Sequence, residues 1–320
     1  MSFSIVHLAD PHFGRVADLA QLEGVQALVP DLEPRVIVLA GDLSQRGRHG
    51  ELQAARAFVR ELERTAPVYV MPGNHDVQWW WRPFIPFGSA AKYRKYRTYF
   101  GPTLAPTMVF PDAIIAGVLT SHGVAWGSLT LRLRDIAVKG HLPRREARRV
   151  KALFDAAPPE KTRILVVHHN VLRGDISDRM GLARWRQAQR RIVNSGAEVV
   201  LCGHDHQEKT ELLAGRVVVS CAGTLSTRSR GDRPAVFHRV VIEEDAIQVE
   251  LYRWEAGQRA FRRSDVHAFA RVRRAGEAAE AAEGVEGADG AEAADGIAGS
   301  AAPAPSGAPP VVSAEGPSSE

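Results

Sequence analysis

Five short apolar runs in this chain each end in a residue able to hold a cation. Ser4-Ile5-Val6-His7-Leu8-Ala9 runs into Asp10-Pro11-His12, and Val36-Ile37-Val38-Leu39-Ala40 into Gly41-Asp42. Val68-Tyr69-Val70-Met71 leads to Pro72-Gly73-Asn74-His75-Asp76. Ile164-Leu165-Val166-Val167 leads to His168-His169-Asn170, and Val199-Val200-Leu201-Cys202 to Gly203-His204-Asp205-His206. Short runs of Val, Ile and Leu are how strands buried on both faces read. In α/β sheets ligand sites gather outside the carboxyl ends of the strands. Donor residues at five strand ends therefore describe one site.

The intervening segments fit that plan. Val16, Leu19, Leu22, Val25 and Val29 recur at helical spacing, as do Leu52, Ala55, Phe58, Val59 and Leu62. Residues 1–76 thus read as strand, helix, strand, helix, strand, the βαβ alternation of an α/β fold. Later strands are expected at Ala113–Thr120, Leu129–Ala137, Val217–Ser220, Ala235–Ile242 and Ile247–Trp254. Helices are expected at about Arg144–Ala156 and Leu182–Ser195. Two strand groups with helices between them predict two stacked sheets covered by helices. Residues 77–112, with Trp79-Trp80-Trp81 and a basic aromatic stretch, read as an insertion beside the site.

Composition separates a body, residues 1–274, from a tail, residues 275–320. The tail holds nine of the 37 acidic residues and none of the 41 basic ones, so the body carries a formal charge of +13. The tail is Ala, Gly, Glu, Pro and Ser with almost no large apolar residues, and is expected to be disordered. No apolar stretch approaches the ~20 residues of a membrane helix, and the opening residues do not read as a secretory signal. A cytoplasmic protein without membrane contact is expected. Cys202 and Cys221 read as buried free thiols.

The donor types define the chemistry. Asp10 and His12, two residues apart, can reach one ion from an extended turn. The two carboxylate oxygens of Asp42 suit a bridge between two cations. Asn74 contributes a neutral oxygen, and His204 and His206 can point to two different ions. Mixed His, Asp and Asn donors without cysteine suit Mn, Fe or Zn better than Ca. Two such metals clamp phosphoryl oxygens and hold a bridging hydroxide that attacks phosphorus in line.

Asp10-x-His12, Gly41-Asp42, Gly73-Asn74-His75-Asp76, His168 and Gly203-His204-x-His206, in this order over Met1–Trp254, resemble the motif set of the calcineurin-like metallophosphoesterases. The resemblance implies a four-layer αββα sandwich of two mixed sheets flanked by helices. It implies that Asp10, His12 and His206 bind one metal, that Asn74, His168 and His204 bind the other, and that Asp42 bridges. The metals would be Mn or Fe, with Zn also suited, and no organic cofactor is expected. His75 would act as general acid or stabilise the phosphoryl oxygens, oriented by a hydrogen bond to Asp76. His169 is a rival to His168.

The stretches His7–Gly14, Gly41–Arg46 and Ala222–Arg228 resemble bacterial class III cyclic-nucleotide phosphodiesterase-like proteins. A small phosphodiester is therefore the expected substrate, with cyclic nucleotides first. Thr120-Ser121-His122 departs from that group, which often carries an aspartate there. The alternatives are a DNA nuclease of the double-strand-break repair type, suited to the basic body but lacking a DNA-binding module, and a non-catalytic metal-binding scaffold. Nucleic acid is the less favoured partner. His7 reads as a packed histidine and Asp205 as structural. Tyr93, Tyr96 and Phe100, at helical spacing, read as core-packing, with Lys92, Arg94, Lys95 and Arg97 on the wet face.

Overall fold

A computed structural model describes residues 2–77, 90–122, 139–273 and 312–313 of the chain. The first sheet contains β1 (Phe3–Leu8), β2 (Val36–Leu39), β3 (Val68–Val70), β10 (Val236–Ile242), β11 (Ala246–Glu255) and β12 (Ala260–Ala270), in the order β12-β11-β10-β1-β2-β3. The second contains β4 (Thr107–Val109), β5 (Ala113–Gly117), β6 (Thr162–Val166), β7 (Val199–Cys202), β8 (Lys209–Leu213), β9 (Val217–Cys221) and β13 (Val312–Ser313), in the order β13-β4-β5-β6-β7-β9-β8. Both are mixed. Strands β1, β2 and β3 run parallel, as do β5, β6, β7 and β9, while β10 and β8 pair antiparallel at their flanks.

Alternation within the strands creates the layers. Ile5, Val38, Ile115, Val166 and Leu201 point between the sheets and form one buried cluster. Val6, Leu8, Ile37 and Leu39 point the other way, onto α1 (Leu19–Leu28) and α2 (His49–Leu62). On the second sheet, Leu165 and Val200 face α4 (Arg144–Ala156) and α5 (Trp185–Asn194) through Val150, Phe154, Ala188 and Ile192. The result is the expected αββα sandwich.

Local chemistry sets the helix ends. Asp18 caps α1 by accepting from the Gln21 N–H, and Glu51 accepts from the backbone N–H groups of Arg46 and Arg48 at the start of α2. Helix α5 starts three residues later than the expected Leu182, because Arg184 sits at φ +48°, outside helical backbone. Strands β4, β8 and β12 escaped the sequence reading. β12 carries mostly exposed, polar side chains, so it offers no apolar run.

In the insertion, Tyr93 and Tyr96 are buried, and α3 (Arg94–Phe100) stacks Tyr96 on Phe100 against the first helical layer. These rings pack, as expected. Lys92 does not join the wet face. It is buried, with Nζ donating to the His122 carbonyl at 3.2 Å, because it lies in a 3-10 turn ahead of α3 and outside that helix's register. Trp79–Trp81 and the expected strand Leu129–Ala137 lie outside the described residues.

The tail, expected to be disordered throughout, contributes β13. Val312 and Ser313 pair in parallel with Met108 and Val109, since β4 would otherwise leave its outer backbone groups unpaired. Among the described residues no helix is long and apolar enough to cross a membrane, and both cysteines are free and buried.

Candidate metal centre

The carboxyl ends of β1, β2, β3, β6 and β7 meet at one edge of the sandwich. Backbone bonds tie their loops together: the Asp10 N–H donates to the Gly41 carbonyl at 3.2 Å and the Gly203 N–H to the His168 carbonyl at 2.9 Å. Asp10, His12, Asp42, His204 and His206 all have positive φ, between +45° and +76°. Left-handed backbone is costly for residues with a Cβ and concentrates where function requires a side chain to be aimed. Glycine is required beside them. Gly41 sits at φ +94°, where a Cβ would lie 2.6 Å from His168 Nδ1, and a Cβ on Gly73 would collide with the Asp42 carboxylate.

Two donor clusters result. In the first, Asp10, His12, Asp42 and His206 are buried, and their donor atoms lie within 4.8 Å of one another. His12 Nε2 is 2.8 Å from His206 Nε2, 3.8 Å from Asp10 Oδ1 and 3.7 Å from Asp42 Oδ2. His206 Nδ1 donates to the Arg228 carbonyl at 3.1 Å, which leaves the Nε2 lone pair aimed into the cluster.

In the second cluster, His168 Nδ1 donates to the Ala40 carbonyl at 2.8 Å, so its Nε2 faces inward. That atom is 2.9 Å from Asn74 Oδ1, 3.3 Å from His204 Nδ1 and 3.4 Å from Asp42 Oδ1. His204 Nδ1 is also 2.9 Å from Asn74 Oδ1. His169 stands in the same group, its ring 4.4 Å from that of His204, with Nδ1 bonded to Thr120 Oγ1 at 2.8 Å. Of the two neighbours, it is His168 that faces Asp42 and Asn74.

His75 and Asp76 do not form the expected pair. The Asp76 carboxylate accepts from the N–H groups of Leu43, Ser44 and Gly73 and from Ser44 Oγ, at 2.7–3.0 Å. It ties the Gly41-Asp42 loop to the Gly73-Asn74 loop. The His75 ring is held instead by Gln45, whose carbonyl accepts from Nδ1 at 2.8 Å. The next side chain along a tight turn points away from its neighbour, which is why Asp76 serves the loop behind.

Electrostatics sharpen the picture. Burial pushes the Asp10 carboxyl well above the usual range and the pKa values of His12 and His204 well below theirs. Burial also opposes charge on Asp42, but His168, His75 and His12 outweigh it and hold that carboxyl low. Burial lowers His168 too, yet the charge of Asp42 and the bond to it win, and its pKa rises to about 9. The carboxylates demand positive charge at the centre of the site.

The calcineurin-like phosphoesterase family model matches residues 3–208, which spans all five strand ends. The chain belongs to this family. The fold is similar to a dimetal phosphatase from Danio rerio, at 12% identity and TM-score 0.60, covering 84% of this chain and 99% of that one. It is also similar to GAP50, the anchor in the inner membrane complex of Plasmodium, at 10% identity and TM-score 0.53, covering 85% and 90%. At such identities the likeness speaks for the fold alone. No curated protein matches the chain.

The family uses two divalent metals, and the residues of this phosphoesterase fit such ions. Asp10 Oδ1 and Asp42 Oδ2 are buried without a hydrogen-bond partner, each turned toward the imidazole nitrogens of the first cluster. Buried carboxylate oxygens are rarely left unmatched. Nitrogen and oxygen donors without thiolate suit first-row divalent cations.

The sequence reading missed several contributors. Thr224 Oγ1 donates to the Asp10 carbonyl at 2.7 Å, Thr120 holds His169, and the Gln45 carbonyl holds His75. A backbone carbonyl leaves no trace in residue identity, and lone threonines in loops have no motif. Above the donors opens a cleft of about 260 Å³, lined on its rim by Lys139, Arg179, Arg228 and Arg230. Asp205 is also on the rim and is structural, as expected: its carboxylate accepts from Ser177 Oγ and Gln207 Nε2 and pairs with Arg230.

Proposed function

We propose that this phosphoesterase hydrolyses small phosphodiesters at a two-metal centre. One observation carries the reading: Asp42 divides its carboxylate between the clusters, Oδ1 at 3.4 Å from His168 Nε2 and Oδ2 at 3.7 Å from His12 Nε2. Asp10, His12 and His206 would hold one divalent ion, Asn74, His168 and His204 the other, and Asp42 both. When bound, such ions supply Lewis-acid polarisation of phosphoryl oxygens and a water of lowered pKa.

The protein's own groups do the rest. The carbonyls of Ala40 and Arg228 hold Nδ1 of His168 and His206, so Nε2 of each faces the donors, and a bound cation would take the place of the proton that His168 otherwise carries there. With Nδ1 held on the Gln45 carbonyl and its ring 4.8 Å from that of His12, His75 stands beside the first cluster and would pass a proton to the leaving oxygen. The segment Ala222–Arg228, part of the resemblance to cyclic-nucleotide phosphodiesterases, builds the site wall: Thr224 bonds Asp10, Ser226 bonds Thr224, and Arg228 accepts from His206. This supports a diester substrate, with 2′,3′- and 3′,5′-cyclic nucleotides the first to assay.

The test is hydrolysis of bis(p-nitrophenyl) phosphate with Mn. Asp42→Ala should lower turnover by at least about 10³-fold, since it disrupts both ion sites. Full turnover in that variant would sink the reading. Rapid cleavage of duplex DNA in the same panel would replace it with a nuclease.

A further inference from the structure

The rim of the cleft carries more positive charge than the reaction requires. With two divalent ions against Asp10 and Asp42, the floor already exceeds the charge of one phosphodiester. Four cations stand above it. Arg230 is engaged, its Nε donating to the Asp205 carbonyl at 2.5 Å and pairing with the Asp205 carboxylate. Arg179 and Arg228 are exposed, and their guanidinium groups have no hydrogen-bond or ion-pair partner among the described residues.

Both are nevertheless mounted rigidly on the site. Arg228 accepts on its carbonyl from His206 Nδ1 at 3.1 Å and donates its N–H to Ser226 Oγ at 3.3 Å. Its charge is felt at Asp10, His12 and His206. Arg179 accepts on its carbonyl from Asn170 Nδ2 at 3.2 Å, and Asn170 directly follows His168-His169. One arginine thus stands beside the first donor cluster, and the other lines the same cleft on a segment tied to Asn170, next to the second. Guanidinium forks recognise phosphate in pairs of donors, and an exposed pair lining one cleft suits an anionic group.

We infer that the substrate carries a second phosphate group, bound by Arg179 and Arg228 while the scissile phosphate occupies the donor floor. The inference rests on the phosphodiester reading above and narrows it, since a cyclic nucleotide has only one phosphate. The hydrolysis itself is unchanged: the water oxygen bonds to the scissile phosphorus, the bond to the leaving oxygen breaks, and that oxygen takes a proton. The second phosphate is either adjacent to the first, as in a pyrophosphate ester, or remote from it, on a separate sugar hydroxyl.

Equilibrium binding to the Mn-loaded protein tests this without turnover. The probes are AMP, α,β-methylene-ADP for an adjacent second phosphate, and adenosine 3′,5′-bisphosphate for a remote one. At least one two-phosphate probe should bind about tenfold tighter than AMP, and Arg179→Gln and Arg228→Gln together should remove that preference. Which probe wins identifies the position. Equal affinity for all three, or a preference that survives in the double variant with its melting temperature unchanged, overturns the inference. Wild-type hydrolysis of bis(p-nitrophenyl) phosphate, measured alongside, separates the outcomes: its absence refutes the phosphodiester reading, whereas its presence without a two-phosphate preference refutes the rim alone.

Discussion

Two groups of histidines sit in this sandwich, and one member of the first, His168, departs from all the rest. At the strand ends, His12, His168, His204 and His206 surround Asp10 and Asp42. In mid-strand, His7 on β1 stands opposite His238 on β10, and both bond through Nδ1 to Ser220 Oγ of β9, at 2.9 and 2.8 Å. Among the described residues no carboxylate joins the second group. Burial there lowers the His7 pKa to about 3 and that of His238 well below its ordinary value, whereas Asp42 lifts His168 to about 9. Burial makes a histidine neutral; Asp42 opposes this at His12 and His206 without overcoming it, and overcomes it at His168, where the carboxylate also bonds the ring. The mid-strand group is a polar link between the sheets. The strand-end group is the candidate cation site.

His168→Ala should reduce Mn-dependent phosphodiester hydrolysis by about 10³-fold, while His7→Leu keeps it within about threefold. Comparable losses in both would erase the distinction. His75→Ala should lower kcat by about 10²-fold with metal content by elemental analysis near that of the wild type. A metal-depleted His75→Ala protein would make this residue a ligand instead of a proton donor.

The neutral state of His7 predicts how stability depends on pH. Between pH 6.5 and about 3 the unfolded chain holds the proton that folded His7 refuses. Stability therefore falls with decreasing pH across this window, by about 1.4 kcal/mol per pH unit for this residue alone. Urea unfolding at pH 7, 5 and 4 should show a shallower acid dependence in His7→Leu, and an unchanged slope would contradict a buried neutral imidazole. The smallest effect belongs to Ser220→Ala. It strands two buried ring nitrogens and should cost about 1–3 kcal/mol with turnover retained.

Much of this was legible because the fold places its chemistry where the chain changes texture. A parallel strand buried on both faces is a continuous apolar run, and the first polar residues after it are the site: Asp10, Asp42, Asn74, His168 and His204 each follow such a run. β12 and β8 were not legible, since edge strands with exposed polar faces have no such run. Gln45 was not, because it acts through its backbone. Sequence order pairs Asp76 with its neighbour His75, and only the folded loops reveal that it binds Gly73, Leu43 and Ser44.

Residue type and order alone determined the sandwich, the family and the set of candidate donors, because these depend on local periodicity and on the residues that end each strand. The tertiary structure decided how the donors divide. Asp42 reaches both clusters only because β2 lies beside β1 and β3 in one sheet while the loops after β6 and β7 of the other sheet close over it. It also decided which histidines serve the site. Their identity is the same at His7 and His168, and the nearest carboxylate, a matter of packing across the sheets, separates them.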